Sequence, residues 1–292
     1  MYRKVLFAIP LKAKNRSTDW SDTLASLKKT VNSIKQQSVQ EYEIYIATND
    51  PDEIETVFGS EVFCIKADFD LPAHKWNRPS ADKHKKRTLI ASEIKKSFSE
   101  DCYIMFLDAD DLVHRNLVKY VLENSARGVS YVIDHGYSMD VGTGSISELY
   151  PFTKFCGSCF IGYYRNDELP SGITTSSVSD QFSMDHPFIK KFANSRSETG
   201  RAENYSNYSS VPFPAVIYTT GSVGAISHNP WRNLRKIIYF DRWSLRPYVS
   251  VLKLISIRII ARLGLIKSVP RKMPGRILGE SDRRKVAGNF GL

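Results

Sequence analysis

The stretch "YIMFLDADD" (residues 103–111) joins a short apolar run to three aspartates within four positions. The run predicts a buried strand that ends at the acidic residues. In extended backbone, side chains two positions apart face the same side about 6 to 7 Å apart, so the carboxylates of Asp108 and Asp110 converge around Ala109. Mg²⁺ or Mn²⁺ would relieve their repulsion and leave room for substrate phosphates. We therefore expect a metal–phosphate site at Asp108 and Asp110, and Asp111 as the cap of the next helix.

Other carboxylate motifs explain this stretch less well. A helix N-cap accounts for one aspartate but not for three. A calcium loop starting at Asp108 needs Gly at its sixth position and Glu at its twelfth, where Val113 and Lys119 stand. Adjacent carboxylates cannot flank a glycosidic bond as a glycosidase requires. A phosphatase similar to the haloacid dehalogenases, which also places Asp-x-Asp after an apolar strand, remains the alternative.

Charge is distributed unevenly along the chain. The 292 residues are 42% hydrophobic and carry a formal net charge of +10, which suffices for a large core and at first suggests nucleic-acid binding. Residues 228–292, however, hold 15 Lys and Arg against 3 Asp and Glu, and residues 1–227 hold 26 against 28. The basic character belongs to the tail. A nucleic-acid-binding tail would not need so many Ile and Leu side chains, so nucleic-acid binding is not indicated.

Cysteine content and hydropathy indicate a reducing, cytoplasmic setting. Four cysteines are too few for a disulfide scaffold, and the N-terminal stretch is strand-like and too polar for a signal peptide. An apolar run of about 18 residues, as a membrane-spanning helix needs, is absent from the sequence.

Short apolar runs alternate with amphipathic segments along the first half of the chain. This alternation predicts an α/β fold with a mostly parallel sheet and helices on both faces, in which ligands bind beyond the carboxyl ends of the strands. The predicted strands cover residues 5–9, 43–50, 61–68, 103–107 and 129–134, and the predicted helices lie near 24–34, 82–98 and 116–126.

Residues 4 to about 230 resemble a nucleotide-sugar glycosyltransferase of the GT-A (Rossmann-like) fold, similar to the inverting family 2 enzymes. The matching stretches are "VLFAIP…NR", "EIYIATNDPDE", "DKHKKR" and "YIMFLDADD", in that order. The resemblance implies that Asp108 lies near the ribose and metal and that Asp110 ligates Mn²⁺ or Mg²⁺ on the donor diphosphate. It also implies a nucleoside site lined by Pro10, Thr48, Asn49 and Asp50.

The basic run in "SADKHKKR" (80–87) is predicted to open a helix. Cations at a helix N-terminus oppose the helix dipole, so they suggest a bound anion, with Asp82 available to cap the helix or to touch a base. Lys83 and Arg87, four positions apart, share a face and are our candidates for the phosphates. A solvated charge run is the alternative.

The stretch "FCGSCF" (155–160) contains Cys-x-x-Cys, but no second cysteine pair exists to complete a zinc site. We interpret Gly157 and Ser158 as a turn that brings backbone close to the donor sugar or acceptor, as the corresponding region of similar transferases does.

An inverting transfer also needs a carboxylate that takes the proton of the acceptor hydroxyl. Asp185 is our candidate base and Asp180 its alternate, although Asp185 could instead cap a helix. His228 follows a Gly-rich turn; the resemblance suggests a further metal or phosphate ligand there, whereas a lone histidine is more often structural.

Two domains are expected: a glycosyltransferase domain at 1–230 and a basic, partly amphipathic helical tail at 231–292. Within the tail, 249–266 has a wide apolar side and basic flanks, which fits a membrane interface. A helix packed on the body or on another subunit of a homo-oligomer is the alternative. The sequence thus predicts a metal-dependent glycosyltransferase acting on a saccharide or glycolipid acceptor at the cytoplasmic face of the membrane, in surface polysaccharide synthesis. A non-catalytic, membrane-associated nucleotide-binding protein is the non-enzymatic alternative.

Overall fold

The computed structural model describes residues 4–69, 79–173, 208–220 and 277–292. Helices in these ranges are α1 Trp20–Lys35, α2 Pro51–Phe58, α3 Pro79–Ser97, α4 Leu117–Glu123 and α5 Glu280–Phe290. The strands are β1 Val5–Pro10, β2 Tyr42–Thr48, β3 Phe63–Lys66, β4 Cys102–Phe106, β5 Leu112–Val113, β6 Ser130–Val132, β7 Gly136–Asp140, β8 Ser145–Leu149, β9 Phe160–Tyr164, β10 Tyr208–Ser210 and β11 Val216–Thr220.

The central sheet has the order β10-β6-β9-β4-β1-β2-β3 among the described strands. β1 pairs in parallel with both β2 and β4, β2 with β3, and β6 with β10, whereas β9 runs antiparallel between β4 and β6. The α/β fold with a mostly parallel sheet is therefore confirmed.

Both faces of the central sheet are covered. Along β1, Val5, Phe7 and Ile9 join one apolar cluster, whose other members come partly from α1 and α4, and Leu6 and Ala8 join a second with residues of α3. All five side chains are fully buried. A strand buried on both faces is continuously apolar, which is why "VLFAI" shows no polar alternation.

A smaller sheet of described strands, in the order β5-β11-β7-β8, lies beside the first. Helix α5 packs on it through Val286 and Phe290, which join Leu278, Ile146 and Ile217 in one apolar cluster. The last residues of the chain, 277–292, therefore fold back onto the body. The segment 249–266 lies outside the described residues, and no helix in the described ranges is long and apolar enough to cross a membrane.

Two predictions about helix N-termini differ from the structure. Helix α3 begins at Pro79, so Lys83 and Arg87 lie in its interior and the argument from a basic helix N-terminus was wrong. Helix α4 has Asn116 as its N-cap residue, so Asp111 is not its cap. Both errors arose because local pattern alone does not define where a helix begins.

Candidate active site

Three adjacent strands of the central sheet end at the same edge. Because β4, β1 and β2 are parallel, Asp108, Pro10 and Thr48 all lie at or just beyond their carboxyl ends, and Pro10 is the register partner of Ala47. Ligands bind at this edge in open α/β sheets. The predicted site residues on three separate segments are thus brought to one side of the molecule.

Asp108 is surrounded by basic groups and by a glycine. The Lys83 ammonium lies 2.5 Å from Asp108 Oδ1, and both side chains are partly exposed, at 27% and 28%. A Cβ added to Gly157 would lie 3.7 Å from Lys83 Nζ, 3.8 Å from Asp108 Oδ2 and 3.9 Å from Arg87 Nη2. Gly157 therefore leaves an open backbone position that is bordered by two cations and a carboxylate.

The surroundings of Asp110 favour the neutral, protonated form of its carboxyl group. Burial and, secondarily, the charge of Asp108 raise the pKa of Asp110 to about 7, and the smaller effect of Lys83 opposes this. Its backbone carbonyl accepts a hydrogen bond from the Thr219 hydroxyl, which fixes the loop to β11. A cation beside Asp110 would offset both causes of the raised pKa.

Asp111 is fully buried, and its side chain anchors the loop 108–111, which we call the acidic loop. Its Oδ2 accepts hydrogen bonds from Ser158 Oγ at 2.6 Å and Cys156 Sγ at 3.1 Å, and its Oδ1 accepts one from Thr219 N at 3.3 Å. Burial, followed by the charges of Asp110 and Asp108, raises the pKa of Asp111 well above its ordinary value. Asp111 therefore links the acidic loop to the "FCGSCF" turn and to β11, a role that sequence reasoning missed.

Ser158 connects Asp111 to Asp108. Its hydroxyl donates to Asp111 and accepts the Asp108 backbone N–H at 2.9 Å, and its side chain is fully buried. In the predicted turn at 157–158, Gly157 therefore faces the site. The Ser158 side chain, in contrast, makes its hydrogen bonds to other residues of the protein.

The Cys-x-x-Cys motif belongs to the same support. Cys156 and Cys159 are buried thiols that form no disulfide, and burial raises the pKa of Cys159 to about 12 and that of Cys156 above its usual range. A reactive thiol has a lowered pKa and is partly exposed, so this environment is typical of structural cysteines.

The loop after β2 holds a polar atom without a partner. Asn49 Nδ2 donates to Ala67 O at 2.8 Å, while Asn49 Oδ1 is buried and accepts no hydrogen bond. Beside it, Asp50 accepts the Lys14 backbone N–H at 2.9 Å, and Thr48 Oγ1 accepts the Asp50 N–H at 3.1 Å. The loop is therefore fixed by its own contacts, and the unused Asn49 oxygen invites a donor from a ligand.

Lys86 is a functional candidate that sequence reasoning overlooked. Its side chain is fully buried, and Nζ donates to Leu11 O at 2.7 Å and to Asp82 Oδ2 at 3.0 Å. Burial lowers the pKa of Lys86, and the Asp82 charge opposes that change. The second oxygen, Asp82 Oδ1, is buried and accepts no hydrogen bond. A run of charges in sequence gives no signal of which member is buried.

Asp108 and Asp110 could supply only part of the coordination shell of a hard divalent ion. Magnesium sites often use one or two carboxylates and complete their coordination with water and substrate phosphates, which Asp108 and Asp110 would allow. Across residues 4–69, 79–173, 208–220 and 277–292, no cluster of three or more His, Cys, Asp or Glu could hold a metal. The predicted base residues Asp185 and Asp180 and the predicted ligand His228 lie outside these ranges.

The sequence matches no protein-family profile and no curated protein. Among solved structures, Staphylococcus aureus TarS is similar at 10% identity and a TM-score of 0.42, over 81% of this chain and 39% of that one. A shorter TarS chain, 1–349, in complex with UDP-GlcNAc is similar at 12% identity and 0.42, over 81% and 66%. The glycosyltransferase GlyE of Streptococcus pneumoniae TIGR4 gives 11% and 0.34, over 93% and 66%. These identities and TM-scores are too low to assign a function to this chain.

Proposed function

We propose that the protein is a glycosyltransferase of the GT-A type that uses a nucleotide-sugar donor. The observation that carries the proposal is the space beside Gly157, bordered by Lys83, Arg87 and the Asp108 carboxylate at the carboxyl edge of the sheet. Cations and an open backbone position suit a diphosphate, and a carboxylate pair at the same place suits the divalent ion that accompanies it.

The nucleoside would lie beyond β1 and β2. Asn49 Oδ1 and Asp82 Oδ1 are buried acceptors without a hydrogen bond, so the N–H groups of a base would remove the cost of leaving them unpaired. Pro10 and the Thr48–Asp50 loop border the same edge. The Lys86 ammonium fixes Asp82 against the carbonyl of Leu11, the residue after Pro10, and so keeps the orientation of that carboxylate.

Mn²⁺ or Mg²⁺ would be held by Asp110 and Asp108, with His228 as a further ligand. A bound divalent ion neutralises the diphosphate and makes the nucleoside diphosphate a better leaving group. Lys83, now paired with Asp108, would turn its ammonium to the donor phosphate. Asp185, or Asp180 in its place, would take the proton of the acceptor hydroxyl as that oxygen attacks the anomeric carbon.

We further propose a cellular role at the membrane surface. A saccharide or glycolipid acceptor, surface polysaccharide synthesis and a position on the cytoplasmic face of the membrane rest on the family resemblance and on the basic, apolar segment 249–266. Vesicle co-sedimentation of the full chain, with anionic against neutral lipid, tests the membrane part. Equal binding to both vesicle types would contradict it.

A thermal-shift panel of nucleotide sugars with and without Mn²⁺ tests the enzymatic proposal. A ligand at one hundred times its Kd stabilises the folded state by about 2.7 kcal/mol, so one nucleotide sugar should raise the melting temperature by several degrees. EDTA and Asp110→Asn should each abolish the metal-dependent part of the shift. Donor hydrolysis should fall by at least about a hundredfold in Asp110→Asn, because the diphosphate loses a metal ligand.

The matched control is Asp167→Asn. Its carboxylate is 73% exposed and pairs only with a surface arginine, so the same chemical change should leave binding and hydrolysis unaltered. A wild-type protein that binds no nucleotide sugar with any divalent ion would exclude the proposed function.

A further inference from the structure

An exposed aromatic pair lies at the same edge of the sheet as the acidic loop. Tyr150 is 60% exposed, and its ring lies tilted by 38° against the ring of His135, with ring centroids 4.6 Å apart. Neither ring takes part in the donor site described above. Most large apolar side chains in the described ranges are covered, so two exposed rings in contact at the ligand-binding edge suggest a binding role.

Strand register places Asp134, the residue before His135, relative to Asp108. Val132 and Phe160 are register partners across β6 and β9, and Met105 pairs with Ile161 across β4 and β9. The pairing of β6 with β9 continues by one residue, because Ile133 N donates to Cys159 O at 2.8 Å. Asp134, the next residue, is thus level with Asp108 two strands away, which is about 10 Å.

The backbone around Tyr150 is held in place by buried neighbours. Leu149 and Phe152, on either side of it in sequence, are 1% and 0% exposed, and Phe152 N donates to Asp134 O at 2.7 Å. A Cβ on Gly136 would lie 2.3 Å from the Phe152 ring, so the glycine is what allows that ring to pack there. The backbone position of Tyr150 is therefore fixed by the fold, and a ligand that binds the ring would have to order only that side chain.

The chemistry of this surface differs from that of the phosphate site. The face of an aromatic ring carries negative potential and attracts the partly positive C–H groups of a sugar ring. The half-buried Asp134 carboxylate accepts from Thr153 Oγ1 at 3.0 Å and, as a carboxylate, has capacity for further donors such as sugar hydroxyls. A carboxylate repels phosphate, so this end of the edge suits a neutral hydroxylated ring.

We propose that Tyr150, His135 and Asp134 form the subsite for the acceptor saccharide, with one pyranose ring stacked on Tyr150. The inference rests on the proposed function, since the donor would occupy the space beside Lys83 and Gly157. Its consequence is that acceptor affinity and donor affinity depend on different residues of the same edge.

Saturation-transfer NMR of the full chain with three probes tests the subsite without requiring catalysis. The probes are methyl β-D-glucopyranoside, methyl β-D-galactopyranoside and methyl N-acetyl-β-D-glucosaminide, each at millimolar concentration with UDP and Mg²⁺ present. At least one should receive saturation from wild-type protein, and Tyr150→Ala should reduce that signal at least fivefold. Tyr150→Phe, which keeps the ring, should retain more than half of it.

Tyr208→Ala is the matched control, because Tyr208 is 43% exposed and pairs with Ser130, the first residue of β6, at the opposite edge of the sheet. Thermal unfolding should show both alanine variants folded. With an active donor, Tyr150→Ala should also raise the acceptor KM at least tenfold while donor KM and donor hydrolysis stay within twofold of wild type.

Each other outcome counts against the subsite. No saturation of any probe by wild-type protein, or equal saturation by Tyr150→Ala, overturns it. A raised donor KM in place of a raised acceptor KM would mean that the ring stacks on the donor sugar, which overturns the acceptor assignment. Probe binding without nucleotide-sugar binding would support the saccharide site while excluding the proposed transferase function.

Discussion

Replacing Ser158 with alanine should expose how the acidic loop is held. The change removes one oxygen from a fully buried position, so it leaves Asp111 Oδ2 with the Cys156 thiol alone and leaves the Asp108 N–H without its acceptor. An orphaned buried polar group costs about 1–3 kcal/mol. The Asp108 N–H is the orphaned group, and Asp111 loses one of its three hydrogen bonds, so together they give an expected loss of about 2–4 kcal/mol in the free energy of unfolding.

Urea unfolding followed by tryptophan fluorescence measures this loss, and Ser130→Ala provides the comparison. Ser130 is also buried, but its hydroxyl accepts only the Tyr163 N–H at 3.1 Å, away from the acidic loop. That control should cost about 1–2 kcal/mol and leave nucleotide-sugar binding unchanged, whereas Ser158→Ala should also weaken Mn²⁺-dependent donor binding. If Ser158→Ala cost no more than Ser130→Ala and bound donor normally, the role given to Ser158 would be refuted.

Two further predictions concern titrating groups away from the acidic loop. Burial lowers the pKa of His114 to about 4 from 6.5, so the unfolded chain binds more protons between these values and His114 should cost stability as pH falls through that window. Because the ring is only partly buried, we expect His114 to account for about 1–2 kcal/mol of the free energy of unfolding. In urea titrations, wild-type protein should therefore lose that much more stability between pH 7 and pH 4.5 than His114→Gln does. Burial, with smaller effects of Glu55 and Asp52, raises the pKa of Cys64 to about 11 from 9.0. At pH 8, iodoacetamide should therefore label Cys64 in the folded protein about a hundredfold more slowly than the same cysteine in the urea-unfolded chain. Equal rates by mass spectrometry would contradict the assigned environment.

Local pattern sufficed for the parts of the fold that depend on hydrophobic burial. The apolar run of β1, buried on both faces, and the helix-period pattern of α1 predicted their elements, because burying an apolar side chain is favourable whichever residues cover it. The prediction that Lys83, Arg87, Gly157 and Asp108 serve one site also followed from sequence, through spacing and resemblance, and the structure brings these residues together.

Buried polar groups were where the sequence prediction was wrong or incomplete. Asp111 looked like a helix cap, yet its partners Cys156, Ser158 and Thr219 lie 45, 47 and 108 residues further along the chain. Lys86 looked like one member of a solvated charge run, yet its ammonium reaches Leu11 O, 75 residues earlier.

The sequence by itself thus determined the alternation of strands and helices, the acidic end of β4 and the basic helix that faces it. Only the tertiary structure decided which charged groups are buried, which are paired, and where an exposed aromatic pair stands relative to Asp108. The physical reason is that hydrophobic burial is non-directional and is encoded in local periodicity. A buried charge or hydroxyl, in contrast, is tolerated only with particular partners in particular geometry, and the fold supplies those partners from distant parts of the chain.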